Sequence, residues 1–284
     1  MPLPTSYTLL DFGASQRLEQ WGPYRLIRPD PTATSTPSNR NQWYSADATY
    51  QGEKGKGAWS HRRPLPDHWP VQFDDLQLYA RLAPYKHTGI FPEQQQNWNW
   101  MRQRAKLANR PLTILNLFAY TGGASIALAK DGHHITHVDA AKPSIGWAKE
   151  NASLNNIPAD KIRWMLEDAP AFAARELRRG KNYDAILLDP PAFGHSPTGK
   201  TWRLDRDLPP LLQNCIKLLS PNASFIVLNA YAQNETPEKL KRELTPLLRA
   251  PAGEKVNIES RELLLKTPEG RSLSTGIVAR CTFS

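Results

Sequence analysis

The fourteen residues from Leu112 to Ser125, Leu-Thr-Ile-Leu-Asn-Leu-Phe-Ala-Tyr-Thr-Gly-Gly-Ala-Ser, constrain the chain more than any other stretch. An apolar, β-branched run of strand length ends near Asn116 to Phe118. It turns through Thr121-Gly122-Gly123 and gives way at Ala124 to a helical pattern. Strand, glycine turn and helix in that order open a doubly wound α/β domain. Glycine suits such a turn because a ligand can approach bare backbone there and because positive φ is accessible. The N–H groups at the helix start lack intrahelical partners and carry partial positive charge, which suits an anionic group. A Gly-Gly pair after a strand is a common pattern, and the residues downstream decide its meaning.

Strand patterns recur at 112–118, 135–139, 161–166, 183–189 and 224–228, separated by helical patterns near 123–131, 144–155, 170–179 and 205–219. A further helix near 237–248 precedes two final strands, 255–266 and 275–282, around Pro268-Glu269-Gly270. Five parallel units closed by an antiparallel hairpin is the plan of class I methyltransferases rather than of the two-half dinucleotide fold. The expected fold class is therefore α/β and Rossmann-like, with a mostly parallel sheet closed by a C-terminal antiparallel hairpin. A small β-rich N-terminal module is expected over 1–84 and the main domain over 85–284.

The first 110 residues differ in character. They hold six of the nine tryptophans, with 14 basic against nine acidic residues. Residues 7–12 and 24–27 read as strands, and the Pro/Ser/Thr-rich 29–41 as a loop. Gly52 to Gly57 reads as a flexible basic loop with Lys54 and Lys56, and His61, Arg62 and Arg63 follow. Two readings stand side by side: tryptophans as the core of a small module, or basic loops with aromatics as a nucleic-acid platform. Pro92 sets the start of a helix running to about 107, with Trp98, Met101 and Ala105 on its core face.

Three acidic residues close strands. Asp139 follows Gly122 by 17 residues, where a carboxylate accepts both ribose hydroxyls of an adenosine cofactor, a feature NAD and S-adenosylmethionine share. Asp168 has two readings, acceptor for an adenine amine or ordinary helix N-cap. Asp189-Pro190-Pro191 ends the fourth strand; the two prolines stiffen the turn and leave the Pro190 carbonyl to accept from an amine. Phe193 offers a face for a base, and Asp189 a carboxylate for a donor at the reacting centre. His195 is the histidine nearest this chemistry, in a basic loop with Lys200, Arg203 and Arg206, while His133 and His134 read as a surface turn.

The chain is 284 residues long with +9 formal charge, which favours a polyanionic partner. Its two cysteines, Cys215 and Cys281, are too few for a disulfide framework or a zinc site, so no metal and a reducing cytoplasm are expected. No apolar run is long enough for a bilayer, and the N-terminus lacks a secretion-signal pattern, so no membrane partner is expected.

Taken together, Asn116 to Gly123, Asp139 and Leu188-Asp189-Pro190-Pro191-Ala192-Phe193 resemble the bacterial S-adenosylmethionine-dependent ribosomal-RNA methyltransferases. That group includes large-subunit cytosine carbon-5 and guanine N7 enzymes. Gly89-Ile90-Phe91-Pro92-Glu93-Gln94 is similar to a segment that the family places beside the cofactor. The resemblance covers about 86–228. It implies a class I fold, S-adenosylmethionine as cofactor and RNA, ribosomal RNA foremost, as substrate. It further implies cofactor contacts from Phe91, Gln94, Asn116, Phe118, Ala119, Tyr120, Thr121, Gly122, Gly123, Asp139, Asp168 and Asp189. Asp189, Pro190 and Phe193 are the implied catalytic residues. The chain departs from the family in one respect. Carbon-5 transfer needs a thiolate to attack carbon 6, and members doing so resemble Phe-Ser-Cys-Ser after the fifth strand. Here the same place reads Leu228-Asn229-Ala230-Tyr231-Ala232, so transfer to a nitrogen fits better. The alternatives are transfer to a small molecule, a protein or cytosine carbon-5, an NAD-dependent oxidoreductase, and a silent RNA-binding protein.

Overall fold

The computed structural model describes residues 5–53, 56–195, 201–231, 236–248 and 256–283. The chain divides into two compact units, Met1–Gln95 with Leu264–Thr275, and Gln96–Leu263 with Gly276–Ser284. The sequence expectation drew its boundary at 84/85, and the tip of the last hairpin counts with the first unit.

In the first unit a five-stranded sheet runs in the order β1 (Tyr7–Gly13), β2 (Gln16–Trp21), β3 (Tyr24–Pro29), β4 (Ala48–Glu53) and β5 (Lys56–His61), with a single helical turn, α1 (Arg40–Trp43), between β3 and β4. The β3–β4 pair is parallel and the others antiparallel. A separate hairpin follows, β6 (Trp69–Phe73) and β7 (Leu76–Ala80), whose alternating burial is the period of a half-buried strand. Of the stretch expected as a loop, Gly52 pairs with Gly57 and Glu53 with Lys56 across the β4–β5 hairpin, while Lys54 and Gly55 lie outside the described residues. Glycine and charge at those positions leave no apolar alternation to read.

The four tryptophans of this unit pack or hydrogen-bond within it, whereas Tyr44 and Tyr85 are exposed. Trp21 and Trp69 are buried, and the Trp69 indole N–H donates to the Trp21 carbonyl (2.9 Å). Trp43 donates to Asp11 (2.9 Å) and Trp59 to the Ala83 carbonyl (2.8 Å). Arg62 and Arg63 both pair with Asp47, at 3.2 and 2.7 Å. The unit also holds a buried ion pair, Arg28 gripping Glu19 with two bonds of 2.6 and 2.9 Å. From the hairpin tip, Arg271 stacks on Phe12 (4.2 Å to the ring centre) and donates to Asp11, Ser35, Ser38 and the carbonyls of Phe12 and Thr36.

The second unit opens on α2 (Gln95–Leu107), which continues a 3-10 turn at Pro92–Gln94. It then alternates β8 (Thr113–Leu117), α3 (Gly123–Lys130), β9 (His134–Asp139), α4 (Lys142–Leu154), β10 (Ile162–Leu166), α5 (Ala169–Arg178) and β11 (Ala185–Leu188). A short pair, β12 (Phe193–His195) with β13 (Thr201–Arg203), interrupts the pattern before α6 (Leu204–Lys217), β14 (Phe225–Ala230), α7 (Pro237–Leu244), β15 (Val256–Lys266) and β16 (Ser272–Phe283). Seven strands form one sheet in the order β10-β9-β8-β11-β14-β16-β15, parallel from β10 through β14, with β16 antiparallel to β14 and β15 returning beside it as a hairpin. This is the class I methyltransferase plan, as expected. The fully buried runs of β11 and β14 are those of a sheet covered on both faces. Chain order reverses between β8 and β11, and the crevice at such a reversal is where open α/β sheets take ligands.

Candidate functional site

At that reversal the chain leaves β8 through a contorted turn. Phe118 and Tyr120 sit at φ +57° and +50°, left-handed values that cost non-glycine residues about 1–3 kcal/mol each. Neighbouring elements hold them there. Ala119 N–H donates to the Val138 carbonyl (3.0 Å), Tyr120 N–H to Asp139 Oδ2 (2.8 Å), and the buried Asn151 amide of α4 to the Thr121 carbonyl (2.9 Å). Gly122 caps α3 at φ +90°, where a side chain would be strained. Gly123 answers a different need, for a Cβ there would come 2.4 Å from the Trp98 ring of α2.

Asp139, at the end of β9, uses both carboxylate oxygens on backbone, Oδ2 on Tyr120 N–H and Oδ1 on Ala141 N–H, each at 2.8 Å. Each oxygen keeps a further lone pair for a hydroxyl donor. Burial raises its pKa above the ordinary carboxylate value, and the two backbone bonds pull the other way.

In the layer below, sequence reasoning named Asn116, as a cofactor contact, but missed its partners Ser125 and His137. Asn116 Nδ2 donates to Ser125 Oγ (2.9 Å), which lies 3.0 Å from Nδ1 of His137, and the imidazole packs against Trp164 (4.8 Å between ring centres). Burial pushes His137 down to about 3, so the ring is neutral. The signal was present: residues 137 and 139 share one face of a strand, so a polar residue at 137 had to lie beneath the turn.

Asp168 caps α5, accepting from Ala171 N–H at 3.4 Å, while its neighbour Glu167 is held by Arg175. Asp189-Pro190-Pro191 leaves β11 beside that turn, since β11 is the register partner of β8. Trp202 of β13, also missed, locks it: the indole N–H donates to the Pro191 carbonyl (2.7 Å) and the ring lies 5.0 Å from that of Phe118. A three-residue strand in a polar stretch gives no periodicity that would reveal it. Phe193 is 57% exposed.

The remaining expectations divide. Arg203 pairs with Asp205 (3.1 Å) and Arg206 with Asp207 (2.8 Å), while Lys200 and the His195 side chain lie outside what is described. His133 is no surface residue; it is buried, and its Nδ1 accepts from Leu112 N–H (3.1 Å). Phe91 and Gln94 belong to the first unit, where Gln94 N–H closes the 3-10 turn on the Phe91 carbonyl (3.0 Å). Cys215 and Cys281 are fully buried in the apolar core of the second unit, and burial pushes both thiols up, Cys281 to about 12. Among the described residues, no cluster of three or more His, Cys, Asp or Glu could hold a metal, and no helix is long and apolar enough to cross a membrane.

A family model for S-adenosylmethionine-dependent methyltransferases matches residues 32–245. A structure described as the SAM-dependent methyltransferase from Agrobacterium tumefaciens is 38% identical, with a TM-score of 0.92 over 99% of this chain and 92% of that one. The ribosomal RNA large subunit methyltransferase K/L of Pseudoalteromonas atlantica is 33% identical over 191 residues, 66% of this chain and 26% of its own length. The chain thus spans about a quarter of that relative. SMU.776, described as a methyltransferase complexed with SAH, shares the fold at 19% identity and a TM-score of 0.77, over 100% of this chain and 76% of that one. With a reversal point, a strained glycine turn and a strand-end aspartate matched by a family model over most of its length, the chain belongs to the S-adenosylmethionine-dependent methyltransferases.

Proposed function

We propose that the protein transfers the methyl group of S-adenosylmethionine to a nitrogen of an RNA base, with ribosomal RNA the favoured acceptor, and works in the cytoplasm as a methyltransferase domain (85–284) behind a small β-rich module (1–84). One observation carries the choice of nitrogen. The Asp189-Pro190-Pro191 edge has a carboxylate, a stiff carbonyl and an exposed phenyl ring at Phe193, while both of the chain's thiols are sealed in the core with raised pKa. A carbon-5 route would need a thiolate at that edge. The acceptor class is supported by the +9 charge and by the named RNA methyltransferase at 33% identity.

The residues present fit the cofactor. Asp139, held beside the left-handed turn through Phe118, Tyr120 and Gly122 by its bonds from Tyr120 and Ala141 N–H, keeps a further lone pair on each oxygen for the two ribose hydroxyls. In this reading Asn116, Ala119, Thr121, Gly123 and Asp168 shape the same cradle. When bound, the cofactor supplies a sulfonium methyl, an electrophile that needs no further activation. What this chain's residues must do is aim the acceptor lone pair at it and exclude water. Phe193 holds the base by stacking. The Pro190 carbonyl and the Asp189 carboxylate accept from the amine, offsetting the positive charge that grows on nitrogen as the bond forms.

The test is transfer of labelled methyl from S-adenosylmethionine to RNA from cells lacking the enzyme, followed by mass mapping of the modified nucleoside. An N-methylated base is the expected product. A carbon-5 methylcytosine, or full activity on a free nucleoside or amino acid, would overturn the proposal.

A further inference from the structure

Gly276 stands in the interior of the twelve-residue β16, where glycine weakens a strand. Its φ lies outside the left-handed region, so conformation does not call for glycine there. Space does. A Cβ at 276 would come 2.8 Å from two ring carbons of Tyr231 and 3.4 Å from the Ala230 carbonyl. The Tyr231 ring therefore lies directly on the bare backbone of β16, and it remains half-buried.

Tyr231 follows β14, whose Leu228 is the register partner of Leu188 in β11. Asn229-Ala230-Tyr231 and Asp189-Pro190-Pro191 thus continue from neighbouring rungs of the sheet at the same, C-terminal edge. The chain has given up a side chain on one strand so that an aromatic ring can be seated on the next.

From this we propose that Tyr231, seated on Gly276, is a specificity-determining residue that packs against the planar ring of the methyl acceptor, giving the edge a second aromatic face beside Phe193. The inference rests on the reading of the acceptor as a nucleic-acid base. It goes beyond that reading by assigning acceptor selection to a pair of residues, Tyr231 and Gly276. The rival account is that the tyrosine merely covers the glycine, an aromatic rescue of a weak strand position. Both accounts expect a loss of stability when the ring is removed. Only the first expects a loss of acceptor binding with cofactor binding intact.

The experiment measures methyl transfer to RNA from cells lacking the enzyme, S-adenosylhomocysteine affinity by calorimetry, and Tm, for wild type, Tyr231→Phe, Tyr231→Leu and Gly276→Ala. Losing one base–aromatic stack should raise the RNA KM roughly tenfold or more in Tyr231→Leu, with S-adenosylhomocysteine affinity within twofold of wild type. Tyr231→Phe should keep the wild-type KM. Gly276→Ala, which must displace the ring without deleting it, should raise KM in the same direction as Tyr231→Leu. A Tyr231→Leu protein with a lower Tm and unchanged KM overturns the inference and leaves the RNA reading standing. A wild-type protein that methylates no RNA overturns both. If Tyr231→Leu does not fold, Gly276→Ala decides by the same KM criterion.

Discussion

Replacing Asp139 by Asn removes a charge while keeping shape, and the structure fixes what else is lost. Both carboxylate oxygens hold a backbone N–H at 2.8 Å, from Tyr120 and Ala141. An amide has one oxygen, so one of those N–H groups must face an NH2, which is a donor against a donor. Losing a charge-assisted bond there costs about 1.5–3 kcal/mol of stability. It also releases Tyr120 from a left-handed conformation (φ +50°) that needs outside support. Ribose hydroxyls would meet a neutral acceptor at about half the bond strength. The expected loss of cofactor affinity is about 2–4 kcal/mol, or roughly 30- to 700-fold in Kd. Titration calorimetry with S-adenosylhomocysteine, beside thermal melts, measures both effects. The pH dependence has a definite sign. Burial raises the Asp139 pKa when folded, so the folded protein binds this proton more readily than the unfolded chain does. Stability therefore falls as pH rises from the ordinary carboxylate value through the raised one. Cofactor affinity, which needs the ionised form, rises over the same window, and in Asp139→Asn that rise should vanish. An Asp139→Asn protein with wild-type Tm and Kd within threefold of wild type would refute the reasoning.

Four further outcomes are expected. Arg28→Leu leaves Glu19 buried without its two-bond partner and should cost about 3–5 kcal/mol in a denaturant titration. In wild type, burial pushes Glu19 up but Arg17 and Arg28 outweigh it and hold the carboxyl at about 2, so that stability is full above the ordinary carboxylate range and is lost as pH falls from there toward 2; an acid titration that is flat over this range would contradict it. Arg271→Ala removes the contacts to Asp11, the Ser35 and Ser38 hydroxyls and the Phe12 and Thr36 carbonyls and should lower stability by roughly 3 kcal/mol, measured by chemical denaturation. Cys215→Ala with Cys281→Ala should cost about 1–2 kcal/mol of stability and leave kcat per folded molecule unchanged, and a trapped covalent RNA adduct in wild type would contradict this.

Some of this was legible in the sequence because the signal was local. The run from Leu112 to Gly123 carries strand period, turn chemistry and helix start within a few residues, and the strand-end positions of Asp139 and Asp189 follow from counting. What was not legible depends on partners far along the chain. For Arg62 and Arg63 two readings stood open, and only the fold shows that Asp47, 15 and 16 residues away, pairs with both. His133 reads as a turn residue from its position before a strand, and only tertiary packing shows it accepting from Leu112 N–H. Trp202 and the pair β12–β13 are too short for any period to show. Gly276 looks like an ordinary strand glycine until Tyr231 is seen lying on it.

The central claim is that an edge with Asp189, Pro190 and Phe193 and no thiol passes a methyl group to nitrogen of an RNA base. The most direct measurement is the identity of the methylated nucleoside in RNA from cells lacking the enzyme, after reaction with the purified protein and labelled S-adenosylmethionine. The account predicts one N-methylated base, formed by wild type and by the double cysteine variant alike. Label on carbon 5 of cytosine, or no label in RNA under conditions where the cofactor binds, would contradict it.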